Sequence, residues 1–119
     1  MNEKLRIALN ALNEKKAMEL AAIRVGDLTS VADYFVLATA TSNTHVKTLA
    51  DEVEFKLSEA GVQPHHVEGR ATGWILIDYC DIVVHVFSRE ARQFYNLDKM
   101  WFDGEAVDLS KYLESSMEE

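Results

Sequence analysis

Asp78, Asp81 and His85 fall within eight residues of one another, with Asp33 and His45 upstream. Carboxylates and an imidazole could together hold a metal ion, but this spacing matches no recognised metal motif. The single cysteine, Cys80, has no thiol partner for such a site. The favoured reading is structural: paired turn aspartates and a half-buried strand histidine. His65 and His66 are adjacent, so on an extended chain their rings point to opposite faces and cannot share a ligand. The turn Thr41-Ser42-Asn43-Thr44 could offer backbone N–H groups to an anion at a helix start. It contains no glycine to let a phosphate approach closely, and no phosphate-loop or dinucleotide glycine pattern occurs anywhere in the chain. Ser30 and Ser42 have no local base to activate them. No metal, no cofactor and no catalysis are expected.

The elements that must position these residues follow from periodicity. Leu5, Leu9 and Leu12 recur at helical spacing, predicting an amphipathic N-terminal helix within residues 1–15. In Met18–Val25 the alanines favour helix while Ile23 and Val25 favour strand, so propensity leaves both open. Tyr34–Thr39 is a near-continuous β-prone run, as in a strand buried on both faces. Val46, Leu49, Ala50, Val53, Leu57 and Ala60 trace one helical stripe, with capping residues before it and Gly61 just past its end. Phe55 interrupts the polar side of that helix. Residues 89–101 predict a short helix running into an aromatic cluster, Asp103-Gly104 a turn, and 114–119 an acidic tail expected to fray. Strands separated by helical patterns predict an α/β fold, a mixed sheet of about five strands flanked by helices, in a single domain over 1–119.

The most informative pair is Gly73–Asp78 and Asp81–Ser88. Only Tyr79-Cys80 separates them, which predicts a hairpin with a two-residue turn, although cysteine suits such a turn poorly. In that register Asp78 faces Asp81, Ile77 faces Ile82 and Trp74 faces His85. Alternation gives one core face of Ile75, Ile77, Ile82, Val84 and Val86. The other face is mixed: Trp74, Leu76, Asp78, Asp81, Val83, His85 and Phe87. Two opposed carboxylates repel unless a cation intervenes, either internal (Arg70, Arg89 or Arg92) or supplied by a partner. An aromatic anchor beside acidic groups suits a docking surface for a basic protein.

Composition agrees with that direction. Twenty acidic against twelve basic residues give a net charge of −8, which repels nucleic-acid backbones and leaves basic proteins as partners. No apolar run is long enough for a membrane span, and the N-terminus lacks the apolar stretch of a signal peptide. A lone cysteine fits a reducing, cytoplasmic location.

Several segments occur in a familiar order. Ala32–Val36 leads into Ala38–Val46 and Leu49-Ala50-Asp51, then Glu68-Gly69, Gly73–Phe87 and Arg92–Trp101. Over roughly residues 15–105 the chain resembles the ribosomal silencing factor (Iojap) family. The resemblance implies a nucleotidyltransferase-like fold without the catalytic carboxylate motif, and a strand at Met18–Val25. It also implies a homodimer when free. Its implied partner is a basic protein on the inter-subunit face of the large ribosomal subunit (the fourteenth of its series), where docking blocks subunit joining and damps translation. Trp74 would be the apolar anchor, Leu76 and Tyr79 its neighbours, and Asp78 and Asp81 the groups that meet basic side chains; Lys99, Met100 and Trp101 extend the patch. Ala40, Thr44 and Cys80 depart from the family pattern, where glycine, arginine and glycine are usual. The alternatives are a nucleotide-binding or nucleotidyl-transfer enzyme of related fold, and a dimerisation scaffold with a non-ribosomal partner.

Overall fold

A computed structural model of the chain describes residues 3–26, 32–69, 73–95 and 105–113. Helix α1 (Glu3–Glu14) is followed by strands β1 (Met18–Arg24) and β2 (Tyr34–Ala40), then helix α2 (Asn43–Glu59). Strands β3 (His66–Glu68), β4 (Trp74–Asp78) and β5 (Ile82–Ser88) come next, then α3 (Arg89–Tyr95), β6 (Glu105–Ala106) and a 3₁₀ turn at Leu109–Lys111. They form one sheet in the order β3-β4-β5-β2-β1-β6, in which only β2 and β5 run parallel. The architecture is the expected mixed α/β sheet flanked by helices, with six strands among the described residues. The short edge strands β3 and β6 carry too few inward residues to announce themselves in the sequence. None of the described helices is long and apolar enough to cross a membrane.

Both long helices end as their sequences dictate. The Ser42 hydroxyl caps α2 by accepting the His45 N–H at 3.1 Å. At its other end Gly61 takes φ +82, and Gly61 N–H and Val62 N–H return to the carbonyls of Ser58 and Leu57. Helix α1 closes with the same hydrogen-bond pattern, but Lys16 occupies the left-handed position, at φ +66. Strand β1 replaces the ambiguous segment at Met18–Val25, and a bulge between Met18 and Ala21 puts Glu19 at φ +49.

The sheet has a core on each side. One unites Leu5, Leu9 and Leu12 of α1 and the stripe of α2 with Ile75, Ile77, Ile82, Val84 and Val86, the hairpin face expected to be core. On the other side Ala21, Ile23, Val25, Leu37 and Phe87 cluster, with Phe35, Trp74 and Ala91 of α3 packed against them. Because β2 and β5 are central and buried on both faces, their sequences read as near-continuous apolar runs, interrupted by Thr39 and His85.

Candidate docking face of the hairpin

The hairpin forms, but its register is two residues from the one expected. Asp78 pairs with Val83, Leu76 with His85 and Trp74 with Phe87. The loop is longer because residues 79–82 close it: Tyr79 N–H donates to the Ile82 carbonyl at 2.9 Å, and Asp81 N–H to the Tyr79 carbonyl at 2.9 Å. The latter closes a three-residue turn in its rarer, strained form, with the central Cys80 at φ +74. The Asp78 carboxylate stabilises the turn by accepting Cys80 N–H at 2.7 Å. A slip of two preserves the pleat, so each side chain stays on its expected face.

The two aspartates consequently do not oppose one another. Asp78 stays at the end of β4, whereas Asp81 lies in the loop, its carbonyl accepting the N–H groups of Asp33 and Tyr34 at 2.8 and 3.1 Å. Its carboxylate meets Lys4 Nζ at 2.9 Å, an internal cation supplied by α1. Arg92 points elsewhere, to the Glu19 carbonyl at 2.7 Å and the Thr39 hydroxyl at 3.0 Å. Arg89 reaches the Met18 sulfur, and Arg70 lies outside the described residues.

Trp74, Leu76 and Asp78 are each partly exposed on the face away from α1 and α2. Tyr79 departs from the expected patch: its ring is 2 % exposed and belongs to the helix-side core. Burial, and then the Glu54 carboxylate, push its phenol well above the usual range. A core tyrosine cannot serve as a surface contact. Lys99, Met100 and Trp101 lie outside the described residues.

Behind Trp74 stands a row of rings that sequence reasoning did not assemble. His85 lies 4.9 Å from Phe35, 5.9 Å from Phe87 and 5.8 Å from Trp74 between ring centroids. The Trp74 indole N–H donates to His85 Nδ1 at 3.1 Å. Burial drives the imidazole down to about 4, so it is neutral near pH 7. Alternation did place Trp74 and His85 on one face. In the observed register their bond runs diagonally between strands, and Phe35 joins the rings from a distant segment.

Chemically, the arrangement offers a half-exposed indole and a leucine beside carboxylates. Asp78, Asp81 and His85 go to separate partners, and among the described residues no group of three or more metal-binding side chains converges. Thr41–Thr44 is exposed at the α2 start.

Comparison with known proteins gives a consistent answer. The family model described as "Ribosomal silencing factor during starvation" matches residues 1–119. The ribosomal silencing factor of Bacillus subtilis is 38% identical over 112 residues, 92% of this chain and 95% of that protein. The one from Halalkalibacterium halodurans is 36% identical over 108 residues, 90% of this chain and 92% of its own. A crystal structure of a Chromobacterium violaceum protein superposes with a TM-score of 0.81 at 36% identity, covering 85% of this chain and 87% of that one. This chain belongs to the ribosomal silencing factor family.

Proposed function

We propose that this protein silences the ribosome by occlusion, without performing chemistry. The hairpin face docks on a basic protein of the large subunit's inter-subunit surface and so obstructs joining of the small subunit. The supporting observation is that Trp74 and Leu76 are partly exposed beside Asp78, with Asp81 in the adjoining loop. An aromatic anchor supplies most of the affinity in such an interface, while neighbouring carboxylates steer a cationic partner and fix its orientation. The net charge of −8 favours a basic protein over the surrounding RNA. In this reading the protein works in the cytoplasm, and the free form is a homodimer.

Co-sedimentation with purified large subunits tests the proposal. The wild type should travel with the subunit, and Trp74→Ala combined with Asp81→Lys should stay at the top of the gradient. Loss of a buried aromatic anchor weakens binding by about 2 kcal/mol or more. Undiminished co-sedimentation of a folded double variant would refute this docking face. A scaffold with a non-ribosomal partner predicts no co-sedimentation by either protein.

A further inference from the structure

We infer that His85 is a positioning residue for the docking anchor: its Nδ1 takes the Trp74 indole N–H and fixes the ring that the partner meets. The inference rests on the docking reading above.

Trp74 is the first residue of β4 and partly exposed, so packing constrains its indole less than it would a core ring. Its cross-strand partner is Phe87, and the two rings stack at 5.3 Å and 24°. Stacking of that kind tolerates sliding and rotation. A hydrogen bond of 3.1 Å from the indole nitrogen to His85 does not, because it is directional.

His85 is a rigid acceptor. It is 4 % exposed, and its ring lies within 7° of parallel to Phe87, with Phe35 tilted against it from β2. Since Nδ1 accepts the indole proton, the neutral ring carries its own proton on Nε2. That Nε2 atom is buried with no hydrogen-bond partner among the described residues. A buried donor left unmade costs free energy that a leucine here would avoid. What the imidazole provides in exchange is its other nitrogen, aimed at Trp74. The indole N–H is thereby occupied within the fold. The partner group at this point is accordingly apolar or cationic, a match for an aromatic ring, rather than a hydrogen-bond acceptor.

Two measurements test this. Nitrogen-15 NMR of the unmodified protein should show His85 as the Nε2–H tautomer, with a protected indole N–H that disappears in Trp74→Phe. The opposite tautomer overturns the inference, whether or not any His85 variant folds. Docking to purified large subunits should then fall about fivefold in His85→Leu, the worth of one hydrogen bond. His85→Gln, whose side-chain oxygen can accept the indole proton, should restore docking. If His85→Leu docks as the wild type does while Trp74→Ala is impaired, His85 does not position the anchor. If Trp74→Ala also docks normally, the docking reading itself falls and the inference goes with it.

Discussion

Lys4 Nζ lies 2.9 Å from Asp81 Oδ1, joining the first turn of α1 to the β4–β5 loop across 77 positions of sequence. The same ammonium reaches the Tyr79 carbonyl at 3.4 Å. The loop carrying Asp81 is therefore tied to α1, which packs in the helix-side core. Both side chains are 35% exposed, so solvent screens the pair and its worth should stay below about 1 kcal/mol. Lys4→Met should lower the melting temperature only slightly. By removing a competing cation it should also strengthen docking about twofold at low salt, an advantage that fades as salt rises. Weaker docking at every salt concentration would mean that Lys4 serves to hold the loop in shape.

Cys80 at φ +74 gives a prediction of opposite sign. The position is exposed, and a Cβ in the left-handed region costs about 1 kcal/mol. Glycine removes that strain but adds freedom to the unfolded chain. Cys80→Gly should therefore stabilise the protein by up to about 1 kcal/mol, read as a shift in the urea midpoint with unchanged slope. No gain would show that the turn is not strained as its dihedral indicates.

The contrast between these two residues shows what the sequence discloses. Cys80 was conspicuous because a tight hairpin has a known residue preference, a local rule. The α2 stripe with its Ser42 and Gly61 caps was legible for the same reason, as were the two hairpin faces. The hairpin register was not. A two-residue slip leaves the alternation intact, and the choice is made by the Asp78 carboxylate and by Asp33 and Tyr34 gripping the Asp81 carbonyl. Lys4 with Asp81, and Arg92 with the Glu19 bulge, pair residues far apart in the chain, and no periodicity encodes such meetings. Tyr79 lies inward although a loop tyrosine beside aspartates reads as surface. Whether a loop ring turns inward depends on what the helices above leave unfilled.

The buried His85 makes stability depend on acid. An unfolded imidazole takes up its proton near pH 6.5, whereas His85 in the fold does so only near pH 4. The unfolded state binds more protons throughout that window, so the stability is fully present above about pH 6.5 and is lost as pH falls toward 4. The loss should be on the order of 3 kcal/mol. Carboxylates titrate at the lower end of this range too. The informative quantity is therefore the difference between the urea-unfolding profiles of the wild type and His85→Gln, which has nothing to protonate there. The glutamine variant should be flatter between pH 6.5 and 4. Parallel profiles would show that the imidazole is not kept neutral by the fold.

Gly73 immediately precedes β4, where its missing side chain leaves room for the Ser88 hydroxyl. A Cβ built there would meet the Ser88 hydroxyl at 2.8 Å, with the Ser88 and Ala91 Cβ atoms at 3.4 and 3.8 Å. That hydroxyl caps α3 by accepting Ala91 N–H at 3.1 Å. Ser88 can escape an added methyl by rotating, but only by giving up the cap, which is worth about 1 kcal/mol. Gly73→Ala should therefore destabilise by about that amount, and so should Ser88→Ala, which removes the cap directly. If the two act through one hydroxyl, their effects cannot add: once Ser88 is alanine, the methyl at position 73 has no cap left to displace. The double variant should be scarcely less stable than either single one, a coupling that a double-mutant cycle in urea measures. Additive losses would mean that the added Cβ distorts the strand itself, and that the cap is untouched.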